Sequence, residues 1–460
     1  MKIPSTPPDL WAAFGAMLEK AQKAGPPALS ELSRRTAIAK PVDEKGRYLH
    51  WEDFRFKPAA DGLSAFDRWV LMRRAREARK AATPFKDKAG RRFFLVKTDF
   101  IERALHEIDS RAHGGVRIDG APPTRGEANS YLVRSLIEEP FSSSVFEGAV
   151  ATRDQAKRII REERAPRTPG ERMIINNYRA IEFIKGKAGE PLTPALILEI
   201  HRLITKDTLD NPKKAGVFRD ADDRIVVDDE AGEILHDPPP AAELPARVEA
   251  LCRFANDDGA EGPFLHPILR AIILHFMFAY DHPFVDGNGR TARALFYWSV
   301  VKRGYWLLEF ISISKQIREA PIQYGTAFLE TETDGGDLTY FIHNQLDAVL
   351  KAIDALDAFL ARKKSEVAAL ERALSSAAIK GSFNHRQIAL LHQAARSPGA
   401  TITIAGHRRV TGVSYLTARA DLEGLASAGY FSKKKRGATS LYAPVRNLGA
   451  KLSVPPARSE

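Results

Sequence analysis

The chain has 460 residues, and its hydrophobic content of 44% is that of an ordinary globular protein, for which this length predicts about two to four domains. A single cysteine, Cys252, excludes a disulfide framework and a cysteine zinc site, and with no basic-then-apolar segment at the N-terminus it predicts a cytoplasmic protein. The longest apolar stretch, Ala271–Tyr280, is too short to span a bilayer, and the net charge of +11 favours anionic partners without choosing among nucleotides, nucleic acids and acidic proteins.

Helical patterns dominate the first 375 residues. Residues 1–127 are predicted to form a mostly helical N-terminal extension, with helix-compatible apolar spacing at Phe66–Ala81 and Asp99–Ile108. The polar segment His113–Glu127 contains Gly and Pro and predicts a loop. Beyond it, candidate helices are Glu171–Lys185, Thr193–Thr205, Ala241–Asn256, Pro267–Tyr280, Gly289–Lys302 and Asp337–Leu374.

One segment breaks the helical pattern. The β-prone run Arg224–Val227 is followed by the turn-rich Asp228–Gly232 and by Glu233–His236, which together predict a hairpin over residues 224–236. A plain surface hairpin is the simplest interpretation, because hairpins are common.

The rhythm changes after Lys380–Asn384. Helices are predicted at Arg386–Ala395, Ile404–Val410 and Ser414–Ser427, and a basic hairpin follows. This order predicts a winged helix-turn-helix domain over residues 381–447, with a disordered tail at 448–460. Either DNA or another protein could be its partner, and the candidate DNA contacts are Ser414, Tyr415, Thr417, Arg419, Lys433, Lys434, Lys435 and Arg436.

The segment from His282 to Arg293 carries the chemistry. Gly287 and Gly289 let successive backbone N–H groups turn toward one point, and a helix starting near Gly289 adds its positive end, which makes an anion site. Arg290 and Arg293 lie on one face of that helix and can bind phosphate oxygens. Asp286 is a hard oxygen ligand suited to Mg²⁺, and His282 is suited to general-base work near neutral pH. The alternative to an anion site is an ordinary helix-loop-helix turn whose charged residues have no shared function.

The same segment resembles a known family. It reads as the full signature of Fic domain proteins, His-Pro-Phe-x-Asp-Gly-Asn-Gly-Arg-x-x-Arg, without departure. His266-Pro267, Gly216–Arg219 and Asp337–Ile342 also look like the family, so the resemblance covers roughly Tyr131 to Ile353. It implies a mainly α fold: a Fic-type core over 128–375 with the hairpin as a flap, preceded by the helical extension and followed by the winged helix-turn-helix domain.

The resemblance implies a role for each motif residue. His282 would deprotonate a Ser, Thr or Tyr hydroxyl of a protein, possibly of this chain itself, for attack on the α-phosphorus of ATP, and Asp286 would hold Mg²⁺. Asn288 and the N–H groups of Gly287 and Gly289 would hold the α-phosphate, Arg290 and Arg293 the β- and γ-phosphates, and Phe284 would anchor the turn. The flap edge at Ile225, Val226 and Val227 would pair with an extended target.

A second segment, Ser142–Gly148, is predicted to be a short helix that Gly148 ends, with Ser143 and Glu147 on one face. It resembles the family's inhibitory motif, in which Glu147 would pair with Arg293 and so compete with the γ-phosphate. An ordinary helix-entry pattern is the alternative. In some relatives the equivalent glutamate serves the removal of AMP.

Three functions stay open at this point. The protein is expected to be an adenylyltransferase, because a pure sensor of nucleotide needs neither His282 nor Asp286. A DNA-binding regulator whose Fic core senses nucleotide is the alternative of a different class. An enzyme that removes AMP, or uses GTP, UTP or CDP-choline as donor, is the third. A homodimer is expected from family habit alone, and no membrane partner is expected.

Overall fold

The computed structural model describes the chain except residues 113–136, 163, 230, 258–262, 375–382, 397–400, 437–438, 446–447 and 453–460. The predicted loop His113–Glu127 therefore lies outside the described residues. The chain divides into two compact units, Met1–Asp354 and Ala355–Glu460. In the described part, no helix combines the length and apolar character needed to cross a membrane.

The N-terminal part of the first unit is helical except for one hairpin. Its helices are α1 Leu10–Ala24, α2 Pro26–Ile38, α3 Trp51–Phe54, α4 Ala65–Glu77 and α5 Asp99–Ala112, and its strands are β1 Lys80–Lys86 and β2 Arg92–Val96. The strands pair antiparallel, with Lys80 opposite Val96. The predicted helix Phe66–Ala81 therefore ends early, at Glu77, and the hairpin that follows it was not predicted. Its second strand buries four consecutive side chains, Phe93 to Val96, so it lacks the alternation that signals a strand.

The rest of the first unit is a helical core. Its helices are α6 Glu138–Phe146, α7 Arg153–Glu162, α8 Pro169–Gly186, α9 Pro194–Ile204, α10 Leu244–Asn256, α11 Pro267–Asp281, α12 Asn288–Lys302, α13 Ile313–Glu319, α14 Pro321–Thr333 and α15 Thr339–Leu374, with 3₁₀ turns at Pro212–Lys214, Ala241–Glu243 and Trp306–Phe310. The division between the two units falls within α15.

Helices α11 and α12 form the centre of this core and pack against each other. Nearly every residue of both helices is buried, Arg290 and Arg293 included. Helix α11 is apolar over most of its circumference and has to be covered on nearly all sides, which accounts for the surrounding layer. The loop that joins these two helices, residues 282–287, is the segment singled out from the sequence.

The predicted hairpin forms over a shorter length than expected. Strands β3, Val227–Asp228, and β4, Ile234–His236, pair antiparallel with Val227 opposite His236. The prediction that the first strand begins at Arg224 was wrong, because Ile225 and Val226 lie outside the strand. We call residues 224–236 the flap.

The second unit contains α16 His385–Arg396, β5 Ile402–Thr403, α17 Ile404–Thr411, α18 Tyr415–Ser427, β6 Phe431–Arg436, β7 Thr439–Pro444 and α19 Leu448–Leu452. The sheet has the order β5-β7-β6 and is antiparallel. Strand β5 and helix α19 were not predicted. The predicted tail was wrong for Leu448–Leu452, whose two leucines are buried in the core of this unit. The assignment as a winged helix-turn-helix stays a prediction.

Candidate active site

His282 ends helix α11 in a strained backbone conformation. Its φ is 46°, in the left-handed region that non-glycine residues adopt only when their surroundings require it. Arg219 supplies part of that requirement. Its Nε donates to the His282 carbonyl at 2.8 Å, its Nη2 to the Pro239 carbonyl at 2.5 Å, and its backbone N–H to the Pro283 carbonyl at 2.9 Å.

The His282 imidazole is neutral at physiological pH. Burial lowers the pKa of His282 to about 4, and the nearby His236 contributes in the same direction. A neutral imidazole has a free lone pair, which is the form that a general base requires.

Two aromatic rings hold the turn that follows His282. Phe284 is fully buried, and its ring stacks on that of His201 with 3.6 Å between centroids. The Gly216 N–H donates to His201 Nδ1 at 2.8 Å, so the proton lies on Nε2, which donates to the Asp286 carbonyl at 2.9 Å. Burial lowers the pKa of His201 to about 4, which keeps this arrangement neutral. Phe284 thus lies where an anchor of the turn was predicted, whereas His201 was missed.

Asn288 closes the turn. Its Oδ1 accepts the Phe284 N–H at 2.9 Å, and its Nδ2 donates to the Phe284 carbonyl at 2.8 Å. Both polar ends of the side chain therefore bind backbone. The role of Asn288 at the α-phosphate stays a prediction, because its Nδ2 has a second hydrogen that these two bonds do not use.

The two glycines are required by close approach as well as by conformation. Gly287 has φ of 81°, and a Cβ there would lie 2.8 Å from Thr205 Cγ2. Its N–H donates to Asp286 Oδ1 at 2.6 Å. A Cβ at Gly289 would lie 2.3 Å from Glu147 Oε1, so the glutamate carboxylate occupies the space above the first turn of α12. The predicted phosphate cradle and the predicted inhibitory glutamate are therefore adjacent.

Arg290 is a buried cation with unused hydrogen-bond donors. Its side chain is 1% exposed, and Nη2 donates to Asp286 Oδ2 at 3.1 Å. Its Nε and Nη1 are buried without a hydrogen-bond partner among the residues that the structure describes. A buried guanidinium left partly unpaired is costly unless a ligand completes its shell. This observation points to a missing anion.

Arg293 lies one turn further along α12 and binds the segment predicted to be inhibitory. Its Nη2 donates to Glu147 Oε1 at 2.8 Å, and its Nε donates to Ser143 Oγ at 3.0 Å. The Arg293 side chain is 1% exposed and that of Glu147 25%, so the pair lies at the edge of the cradle. Helix α6, which contains Ser143, begins at Glu138 rather than at Ser142 and ends at Phe146, so that Glu147 is the residue capping its C-terminus and Gly148 follows at φ of 88°.

Residues 191–300 match the family model described as Fic/DOC family. These residues include the whole loop between α11 and α12 and both arginines.

This chain carries a Fic domain.

Curated relatives carry the same name. The chain is 28% identical over 182 residues to a protein adenylyltransferase Fic of Nematostella vectensis, covering 38% of this chain and 39% of that protein. It is 28% identical over 239 residues to the protein of the same name in Drosophila mojavensis, covering 50% of this chain and 43% of that one. The chain thus spans about two fifths of the length of these relatives.

Among solved structures, a Fic family protein from Desulfovibrio desulfuricans aligns with a TM-score of 0.48 at 19% identity. The alignment covers 76% of this chain and 97% of that one. The mainly helical fold class and the Fic domain predicted from the sequence are confirmed by the helical architecture and by the match to the family model.

The Fic domain's flap is tied to the end of α11. His236 Nε2 donates to the Tyr280 carbonyl at 2.7 Å, and its Nδ1 lies 2.8 Å from Glu332 Oε2. Val226 is 41% exposed and Ile234 53%, so apolar side chains on the flap face solvent. The predicted target-binding residues Ile225 to Val227 lie on this flap.

Asp286 is suited to a magnesium ion that is shared with phosphate. Its carboxylate is 55% exposed and contacts one nitrogen of Arg290 and the N–H of Gly287. No group of three or more His, Cys, Asp or Glu residues in the described part could hold a metal alone. A single accessible carboxylate fits Mg²⁺, which keeps several waters and takes the rest of its ligands from substrate phosphates.

Some of the predicted DNA contacts in the second unit bind neighbouring side chains, and others are exposed. Ser414 caps α18 by accepting the Thr417 N–H at 3.1 Å, and the two hydroxyls lie 2.9 Å apart. Lys433 pairs with Glu423 at 2.5 Å, and Arg419 Nε lies 3.8 Å from the same carboxylate. Tyr415, Lys434 and Lys435 are exposed, and the Arg436 side chain lies outside the described residues.

Proposed function

We propose that this protein transfers AMP from ATP to the hydroxyl of a Ser, Thr or Tyr residue of a protein, its own chain included. The name of the curated relatives supports this reaction class. The single observation that carries the proposal is a pair of buried guanidiniums on α12, those of Arg290 and Arg293. Each has at least one nitrogen without a hydrogen-bond partner among the described residues. Such a site favours a polyanion, and His282 adjoins it.

The proposed step requires Arg293 to be released from Glu147. The neutral His282 imidazole accepts the proton of the target hydroxyl, whose oxygen forms a bond to the α-phosphorus of ATP. The bond from that phosphorus to the oxygen bridging to the β-phosphate breaks, and pyrophosphate leaves with the electron pair. The Gly289 end of α12 faces the α-phosphate, while Arg290 and Arg293 bind the outer phosphates. Asp286 would hold Mg²⁺, which when bound would neutralise phosphate charge.

Glu147 restrains the reaction in this proposal. Its carboxylate lies over Gly289 and holds the Arg293 nitrogen that a γ-phosphate would use. ATP must then bind with its outer phosphates displaced, or displace Glu147. Because Arg293 is buried, a γ-phosphate can bind it only by replacing the contact that Glu147 makes with it.

Incubation with labelled ATP tests both the transfer of AMP and its restraint by Glu147. We expect Glu147→Gly, incubated with α-labelled ATP and magnesium, to label itself faster than the wild type, because Arg293 is released. Adding His282→Ala to that variant should lower the rate about 10²- to 10⁴-fold, since a general base is lost. Equal labelling with and without His282 would contradict the assigned role. Parallel incubations with labelled GTP, UTP and CDP-choline test the donor, and release of AMP from pre-labelled protein tests the reverse activity.

A second candidate function, DNA binding, rests on the second unit. Residues 404–444 contain seven Lys and Arg residues against two acidic residues, a net charge of +5. Clustered cations beside an exposed helix favour a nucleic acid backbone. The two functions are compatible, because they use different parts of the chain.

A further inference from the structure

Helix α6, whose C-terminus Glu147 caps, is also held at its other end. Glu139 lies in the first turn of α6 and is only 5% exposed. Three donors converge on its carboxylate: Ser312 Oγ at 2.7 Å and the Ser314 N–H at 3.1 Å, both to Oε2, and Ser314 Oγ at 2.5 Å to Oε1. We call Glu139, Ser312 and Ser314 the clasp.

The clasp joins two elements that are far apart in sequence. Ser312 and Ser314 begin helix α13, where Ser312 also caps the helix by accepting the Lys315 N–H at 3.1 Å. The Glu139 carboxylate lies at the N-terminal end of α13, where backbone N–H groups favour negative charge. Hydrogen bonds to a buried charged group are about twice as strong as those between neutral groups. The clasp therefore fixes α6 on α13.

The clasp lies away from the phosphate cradle. Glu139 precedes Glu147 by eight residues, which corresponds to about 12 Å along a helix. Between them, Phe141 packs with Ile137, Ala156 and Ile174, so the middle of α6 is held by apolar contacts. Because α6 is one continuous helix, we expect that loosening its Glu139 end lowers the fraction of time for which Glu147 binds Arg293.

We propose that the Glu139 clasp is the positioning element that keeps Glu147 on Arg293 and so sets the strength of the inhibition. This inference rests on the proposed function, because it names how the same site is regulated. Among the described residues, the hydrogen bonds of Glu139 go to Ser312 and Ser314 and not to the cradle, although its charge helps to raise the pKa of Arg293. Its effect on activity should therefore pass mainly through Glu147.

The matched control is the neighbouring carboxylate on the same helix. Glu138 pairs with Arg153 at 2.7 Å and accepts from Ser142 Oγ at 3.2 Å, but it makes no contact with α13 in the described part of the chain. Its side chain is 22% exposed. Replacing Glu138 or Glu139 by Ala changes charge and helix propensity equally, and only the second change opens the clasp.

The first measurement is hydrogen exchange on the full chain, because it does not require activity. Glu139→Ala and Ser314→Ala should increase amide exchange in peptides covering residues 138–148 about tenfold, as expected for loss of hydrogen bonds to a buried charge. Glu139→Gln, which keeps the shape and can keep most of the bonds, should give a smaller increase. Glu138→Ala should leave exchange within about twofold of wild type. Unchanged exchange in both Glu139→Ala and Ser314→Ala overturns the clasp.

The second measurement is self-labelling in two backgrounds. With Glu147 present, Glu139→Ala should raise the labelling rate about tenfold, because α6 is released. With Glu147→Gly, adding Glu139→Ala should change it by less than about twofold, since the blocking group is already absent. A fall in both backgrounds indicates general damage and contradicts the proposal. If Glu147→Gly itself is not labelled, the transferase proposal fails, and the exchange experiment alone decides the clasp.

Discussion

His282 owes its chemical state to its burial. Withdrawal from water lowers the pKa of its imidazole to about 4, and His236 lowers it further, whereas Glu147 raises it. Removing Glu147 therefore cannot bring the pKa up to its ordinary value. The residue is neutral throughout the physiological range, at the cost of being a weaker base than an exposed histidine.

The acid limb of the pH profile should show this shift. For a general base whose pKa is lowered, activity is complete above that pKa and is lost as pH falls through it. We expect kcat/KM of Glu147→Gly to stay nearly constant from pH 8 down to about pH 6. Steady-state rates at saturating magnesium and constant ionic strength measure it. A decline centred near pH 6.5 would show that His282 titrates as an exposed imidazole and would contradict the burial argument.

Residues of this site differ in how far the sequence determines them. His282, Arg290 and Arg293 could be placed together from the spacing of the motif, whereas the position of Glu147 beside Arg293 was implied only by the family resemblance. The bonds of Asn288 to the Phe284 backbone were not predicted, because nothing in the sequence tells whether an amide binds a ligand or closes its own turn. His201 was missed because it lies in an amphipathic helix and reaches Asp286 across 85 residues of sequence.

Among the elements, the loop between α11 and α12 depends on neighbours that lie outside it. Helix α9 supplies His201, and the segment before the flap supplies Arg219, which together bind the carbonyls of Asp286, His282 and Pro283. These contacts hold the left-handed backbone at His282. The shape of the cradle is therefore a property of three elements.

His201→Phe should separate the stacking from the hydrogen bonds. The ring can still stack on Phe284, but the partly buried Asp286 carbonyl and the buried Gly216 N–H each lose a partner. Each unsatisfied buried group costs about 1–3 kcal/mol, so we expect the free energy of unfolding to fall by about 2–4 kcal/mol. Denaturant titration of the first unit's transition in the full chain measures it. A loss below about 0.5 kcal/mol would mean that stacking alone holds the loop.

Element boundaries followed from apolar spacing where helices are amphipathic or long. Five predicted helices of the core, including α11 and α12, lie within two residues of their observed ends. The hairpin β1–β2 was not predicted because Phe93 to Val96 are all buried. Their sequence therefore shows neither the two-residue period of a half-buried strand nor the 3.6-residue period of a helix. The flap is shorter than predicted, because β-propensity at Ile225 and Val226 has no partner strand there.

At the scale of the whole molecule, the chain joins a Fic domain to a second compact unit with a different charge pattern. The order of helices in that unit could be predicted from its turn residues, such as Gly412 at φ of 71°. Its small strand β5 and terminal helix α19 could not, because both depend on pairing or packing with distant residues. No motif identifies the binding partner of the second unit, so its positive charge alone indicates a nucleic acid.

A duplex-binding assay on the full chain tests that argument. If the unit binds DNA, affinity for a fluorescent duplex should fall steeply with salt. Lys434→Glu should weaken binding several-fold and reduce the salt slope by about one. Lys351→Glu makes the same charge change on the first unit, where the lysine is 60% exposed, and serves as control. Equal effects of the two variants, or no binding at low salt, would contradict the DNA proposal.

The central claim is that His282 and the adjoining cradle transfer AMP to a hydroxyl. Its most direct test is the intact mass of Glu147→Gly after incubation with ATP and magnesium, measured beside Glu147→Gly/His282→Ala. The account predicts an increase equal to one or more AMP groups in the first protein, and essentially none in the second. No increase in the first, or the same increase in both, would contradict it.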